Sequence, residues 1–261
     1  MKTLTLKIEP SAFNSVYRPY FSDDHRTQIF FGGSSSGKSY FLGQRVVLDT
    51  IKGRNTLVLR NVARTIRSSC WNEIIKAISR MGLKEYFHVG ASEMVIRCKI
   101  NGSQILFAGL YDVEKIKSIT PEEGPLTDLW VEEATEIDYK DYKQLEKRLR
   151  GRSQFTKRVT LSFNPIYKDH WLFKEFFGGW DDSKREYRDG TLSILKTTYK
   201  DNRFLNPDDI RALETEKDEY YRNVYTLGNW GVLGDVIFRN WRTEDLSEVK
   251  KTADKLFFGL D

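Results

Sequence analysis

Ile29-Phe30-Phe31-Gly32-Gly33-Ser34-Ser35-Ser36-Gly37-Lys38-Ser39 is the stretch on which the fold turns. An apolar burst runs directly into Gly32-x-x-x-x-Gly37-Lys38-Ser39, the spacing of a phosphate-binding P-loop. Glycines let the backbone wrap so that successive N–H groups point inward at phosphate oxygens. A helix starting at Lys38 adds its own N-terminal N–H groups and the positive end of its dipole to the same anion. Lys38 then reaches the β- and γ-phosphates, and the Ser39 hydroxyl is placed to ligate Mg²⁺. With Gly at about 7% of residues, four fixed positions match by chance in roughly one chain in a hundred of this length. The match also falls between a strand expected at 28–31 and a helix expected over 38–50. Residues Gly32, Gly33, Ser34, Ser35, Ser36, Gly37, Lys38 and Ser39 are therefore the expected cradle for ATP.

Hydrolysis needs a carboxylate strand besides the cradle. Leu129-Trp130-Val131-Glu132-Glu133 supplies one, about 95 residues downstream. Glu132 is the candidate on the Mg²⁺ side and Glu133 the candidate general base. Asp is the commoner residue at the first of these positions, so Asp128 stands as a further candidate for the metal shell. Asn164 ends the strand-like run Val159-Thr160-Leu161-Ser162-Phe163 at the carboxyl edge where α/β sheets hold ligands. It fits two readings, a hydrogen bond to the γ-phosphate or the attacking water, or a turn residue before Pro165. Cations for the transferring phosphoryl group are offered by Arg60, Arg64, Lys115 and Lys117, and by the cluster Arg148, Arg150, Arg152 and Arg158; the sequence singles out none of them.

Outward from the loop, the pattern alternates between strands and helices. Thr56-Leu57-Val58-Leu59 reads as a buried strand, and Ile66, Trp71, Ile74, Ile75 and Ile78 have helical spacing over 64–81. Met94–Cys98 and Gln104–Ala108 flank Asn101-Gly102 as a hairpin, and residues 138–150 read as a charged amphipathic helix closed by Gly151. Such alternation points to an α/β fold with a largely parallel sheet covered by helices on both faces. Past residue 200 two short helices are expected between Leu205 and Leu227, then a packed loop around Trp230 and a last strand, Leu256 to Leu260, ending on Asp261.

Composition narrows the class further. The 261 residues are 39% hydrophobic and 30% charged, with 16 Phe, 13 Tyr and 6 Trp, enough for a substantial core rather than a disordered chain. No run approaches the roughly 18 uncharged apolar residues of a membrane span, and the N-terminus shows no signal-peptide run. Cys70 and Cys98 stand in neither metal nor redox spacing, which excludes a disulfide scaffold and fits a reducing compartment. A net charge of +5 is compatible with a nucleic-acid partner.

These motifs together resemble the large subunit of tailed-bacteriophage terminases, through 29–39, Val58-Leu59-Arg60, 128–134, 161–165 and Leu227-Gly228-Asn229-Trp230-Gly231. The resemblance implies a P-loop (RecA-like) ATPase domain at 1–199 and a helical lid or linker subdomain at 200–245. It further implies the first strand of an RNase H-like nuclease domain at 246–261, with Asp261 as that domain's first metal-binding acid. It implies an ATP- and Mg²⁺-dependent motor moving double-stranded DNA into a procapsid, with Lys38, Glu133 and Asn164 catalytic. The implied partners are a portal protein, a small terminase subunit and copies of itself in a ring, in the cytoplasm of an infected host and away from membranes. Two-metal cleavage needs several carboxylates, so a truncated or naturally short chain ending at Asp261 is expected to lack nuclease activity. A RecA-like helicase or DNA-repair ATPase shares the same motifs, and a nucleotide-switched binding module is the non-enzyme alternative.

Overall fold

The computed structural model describes residues 7–110, 116 and 118–231. Strand β1 (Thr27–Gly32) feeds the glycine-rich loop and α1 (Lys38–Ile51) leaves it. After β2 (Thr56–Arg60), the expected helix is one continuous stretch of α2 (Ala63–Ile66), a π-helical turn (Arg67–Trp71) and α3 (Asn72–Arg80). Next come β3 (Phe87–Gly90), β4 (Val95–Cys98), β5 (Gln104–Gly109) and β6 (Asp128–Glu132). Helix α4 (Tyr139–Glu146), β7 (Arg158–Phe163), α5 (Trp171–Phe176), β8 (Glu186–Arg188) and β9 (Leu192–Thr197) complete the layered part. Helices α6 (Pro207–Glu214) and α7 (Glu219–Tyr221) follow, the latter running into a π-helical turn (Arg222–Thr226).

Among the described residues the strands form one nine-stranded sheet in the order β3-β4-β5-β2-β6-β7-β1-β9-β8. The six from β5 to β9 in that order pair in parallel, while β3, β4 and β8 add antiparallel at the edges. Successive side chains of a strand point to opposite faces, which divides the apolar runs between two cores. Phe30, Val58, Trp130 and Leu195 pack with Phe41, Leu42, Ile74 and Ile78 of α1 and α3. Ile29, Phe31, Leu57, Leu129, Val131 and Leu161 face the other way, onto Tyr142 and Leu145 of α4 and Leu172 of α5. A strand buried on both faces has no polar alternation, which is why β1 reads as an apolar burst. Each fully buried Leu, Ile or Phe contributes about 1.5–3 kcal/mol relative to an exposed one.

The opposite end of the sheet from the glycine-rich loop is tied by buried ion pairs. Arg158 donates to Asp128 at 2.6 Å and to Asp49 of α1 at 2.5 Å, and Arg54 reaches Asp128 at 3.2 Å. Removing one partner of such a buried set costs about 3–5 kcal/mol, because the charge left behind is uncompensated.

The structure departs from the sequence pattern in several places, among them β3, α5 and β8, which the pattern does not mark. Strand β9 lies beside β1 where the pattern marks no strand; half of its six residues are Ser193, Lys196 and Thr197, so it lacks an unbroken apolar run. The helix expected over 138–150 stops at Glu146, because the chain must turn back through residues 147–157 to enter β7. Residues 10–21, without a pattern in sequence, form two 3-10 helices, Pro10–Ala12 and Ser15–Phe21, whose Tyr17 stacks on Phe41 at 4.6 Å. The expected strand Leu256–Leu260, Asp261, all of 246–261 and the residues Lys115 and Lys117 lie outside the described residues. Among the described residues no helix is long and apolar enough to cross a membrane.

Candidate functional site

Six parallel strands aim their carboxyl ends at one edge of the sheet, and the glycine-rich loop leaves that edge from β1, between β7 and β9. Gly32 ends β1 at φ +137, and a Cβ there would fall 1.9 Å from the Thr197 carbonyl oxygen, so only glycine lets β1 and β9 stay paired up to the loop. The loop then rises over a cleft of about 260 Å³ lined by residues 34–40, Glu132, Glu133, Ser162, Phe163 and Asn164. Residues from three separate expectations, the loop, the carboxylate pair and the β7 terminus, are thus brought to one cavity.

Lys38 is 8% exposed and points back into the loop. Its Nζ donates to the carbonyls of Gly33 at 2.8 Å and Gly32 at 3.3 Å, and to Ser36 Oγ at 3.2 Å. Burial pushes the ammonium down to about 8, against the opposing pull of Glu132 and Glu133. The Ser39 hydroxyl donates to Glu132, whose other carboxylate oxygen accepts from Ser162 Oγ and, at 3.2 Å, from Trp130 Nε1. Ser39 and Glu132 are an all-oxygen donor pair already in contact, the chemistry a hard divalent cation takes.

Glu133 leaves the strand in the left-handed region, φ 54 and ψ 52. A non-glycine residue there costs of order 1–3 kcal/mol and is retained where a site demands it. Here it breaks the alternation of β6, so that two consecutive carboxylates line the same cleft. Burial, reinforced by the Glu132 charge, pushes the Glu133 carboxyl up to about 7, with Lys38 and Arg60 opposing. Asn164 donates from Nδ2 to the Gly32 carbonyl at 2.8 Å, which links the end of β7 to the base of the loop.

Other candidates fall elsewhere. Asp128 sits at the opposite end of β6, paired with Arg158 and Arg54, so it is a structural anchor and the metal-shell alternative is corrected. Arg158 is consumed in the same network. Arg60, at the end of β2, lies 3.8 Å from Glu136, and its charge acts on the Glu133 carboxyl. Arg148 donates to the Ile119 carbonyl at 2.6 Å, whereas Arg64, Arg150 and Arg152 are exposed.

Further residues reach the loop, of which Tyr17, Asn202 and Tyr225 carry no sequence signal, whereas Gly228 belongs to the 227–231 segment of the family resemblance. Tyr17 OH donates to the Ser36 carbonyl at 3.0 Å, and Asn202 Nδ2 to the Ser35 carbonyl at 2.8 Å. Ser34 N donates to the Tyr225 carbonyl at 2.6 Å. Gly228, φ +67, passes so close that a Cβ would fall 2.5 Å from Gly33 N. Ser162 could have been found: parallel register pairs it with Glu132. Tyr225 could not, because it acts through its carbonyl, which every residue type carries.

A mostly parallel sheet, a glycine-rich loop between β1 and α1, and a carboxylate pair at the end of β6, separated from β1 by β7, define a P-loop NTPase fold. The chain belongs to the phage terminase large subunit family, whose sequence model matches residues 24–229. It is 29% identical over 253 residues to the PBSX phage terminase large subunit of Bacillus subtilis (strain 168), covering 89% of this chain and 57% of that protein. It is 26% identical over 242 residues to the terminase large subunit of Bacillus phage SPP1, covering 89% and 56%. The chain therefore spans little more than half the length of these relatives. In fold it is similar to the large terminase of a thermophilic bacteriophage in complex with ADP, with TM-score 0.65, 17% identity and 84% and 52% of the two chains covered. It is likewise similar to the large terminase ATPase domain of Thermus phage P74-26, with TM-score 0.58, 11% identity and 80% and 91% covered.

Proposed function

We propose that this chain is the ATPase part of a phage DNA-packaging motor, binding ATP with Mg²⁺ and hydrolysing it to move double-stranded DNA into a procapsid. The observation that carries the reading is the convergence of Lys38, Ser39, Glu132, Glu133 and Asn164 on one cleft at the carboxyl edge of the sheet. The loop N–H groups and Lys38 bind the triphosphate tail, and Ser39 with Glu132 would hold Mg²⁺, which supplies charge neutralisation at the phosphates. Glu133 takes the proton from the attacking water as its oxygen bonds to the γ-phosphorus and the bond to the departing ADP oxygen breaks. A carboxyl poised near 7 suits that task. Asn164 holds the Gly32 carbonyl and is within the same cleft, so it is placed to report the state of the γ-phosphate to β7.

Family membership supports the motor reading over a generic ATPase. On that basis the partners are double-stranded DNA, the portal protein, the small terminase subunit and further copies of this chain in a ring, in the host cytoplasm. We group 1–199 as the ATPase domain and 200–245 as the lid or linker, a division supported by helices α6 and α7 and by the seating of Tyr225 and Gly228 on the loop. Residues 246–261, with Asp261, are assigned by family resemblance to the opening of a nuclease domain.

Phosphate release measured with and without double-stranded DNA tests the motor assignment. Release is expected to rise with DNA and to leave a forked duplex unseparated. Separation of the fork would move the chain to the helicases. Turnover no higher than that of Glu133→Gln would leave only a nucleotide-switched binding module.

A further inference from the structure

Glu132 stands two residues after Trp130 on β6, so both side chains leave the same face of the strand. Parallel register sets Ser162 of β7 directly beside Glu132. All three are buried, Trp130 and Ser162 at 1% exposure and Glu132 at 6%. A polar cluster this dry needs every donor directed at an acceptor.

Trp130 Nε1 donates to Ser162 Oγ at 2.8 Å and to Glu132 Oε2 at 3.2 Å, and Ser162 Oγ meets that same carboxylate oxygen. An indole N–H can only donate, so Ser162 accepts from it and has one proton left to give. That proton goes to Glu132 Oε2, because the alternative acceptor, the Val131 carbonyl, lies farther off at 3.4 Å. Two donors therefore hold one carboxylate oxygen on the core side of the strand. The other, Oε1, is left turned toward Ser39. The glutamate side chain is one methylene longer than the aspartate commoner at this position, and that length lets its head fold back to Trp130 while still meeting Ser39.

We infer that Trp130 and Ser162 are positioning residues that lock the Glu132 carboxylate, so that Oε1 alone is presented beside Ser39 to a divalent cation. A glutamate left to itself turns about several single bonds and offers either oxygen, and ordering it costs affinity at the moment the cation binds. Here the head group is ordered beforehand by hydrogen bonds from behind, the role that outer partners play for ligating carboxylates. The inference rests on the Mg²⁺ reading of Ser39 and Glu132, and a metal-free binding measurement separates the two.

Calorimetry on the full chain with a non-hydrolysable ATP analogue, run once with Mg²⁺ and once with the metal chelated, supplies the test. The wild type is expected to bind more tightly with Mg²⁺. Ser162→Ala and Trp130→Phe are each expected to lose about tenfold or more of the affinity measured with Mg²⁺ and to stay within about twofold without it, as for removal of an outer partner of a metal ligand. Trp130 acts in part through Ser162, so the double variant is expected to lose less than the product of the two single losses. Trp130→Phe also opens space in a packed core. Should it fail to fold, Ser162→Ala decides, since it removes one oxygen and leaves Trp130 Nε1 bonded to Glu132. Unchanged affinity with Mg²⁺ in Ser162→Ala would overturn the proposal, as would equal weakening with and without the metal. A wild type indifferent to Mg²⁺ would contradict the metal reading of Ser39 and Glu132, and the lock with it.

Discussion

Glu133→Gln is expected to bind ATP as tightly as the wild type and to release phosphate roughly 10²–10⁴-fold more slowly, the range a positioned general base contributes. The substitution is nearly isosteric, so the left-handed backbone at 133 and the packing of Ala134 behind it are kept. What is lost is the ability to accept a proton. Removing a carboxylate also lifts its repulsion from the phosphates, so binding should not weaken. The check is equilibrium binding and single-turnover phosphate release on the same preparation. Near-normal release would place the base elsewhere, whereas loss of binding would mean that Glu133 supports the loop rather than the chemistry.

Lys38→Ala is expected to remove nucleotide binding, with affinity falling by roughly two orders of magnitude or more, as for the loss of one partner of a buried, hydrogen-bonded charge contact. In the structure its ammonium is satisfied by the Gly32 and Gly33 carbonyls and by Ser36. It therefore braces the loop as well as offering charge. Burial lowers the cost of moving it from those carbonyls to phosphate oxygens, since little water has to be stripped from it first. Titration calorimetry distinguishes the outcomes, and unchanged affinity would contradict the cradle.

Much of this arrangement was legible in the sequence because its chemistry lives in side-chain types at fixed spacing. Gly32, Gly37 and Lys38 supply the wrap and charge of the motif and Ser39 its hydroxyl ligand, and the apolar runs of β1, β2 and β6 follow from strands buried on both faces. The remainder was hidden for equally physical reasons. Strand β9 carries Ser193, Lys196 and Thr197 in place of an apolar run, yet Thr197 both pairs with Gly32 and accepts from Gly33 N. Tyr17, Asn202 and Tyr225 reach the loop from far along the chain, and Tyr225 does so through its backbone. The left-handed turn at Glu133 has no residue signature either, since glutamate is not selected for that region. Asp128 shows the converse: an acid four residues before Glu132 in a motif-like run, but at the wrong end of its strand.

The most direct measurement is a crystal structure of this chain with Mg²⁺ and a non-hydrolysable ATP analogue. The triphosphate tail is expected within the 32–39 loop, its last phosphate between Lys38 and Glu133. An analogue bound outside that loop, or a Glu133 side chain turned to bulk water with the analogue in place, would contradict the account.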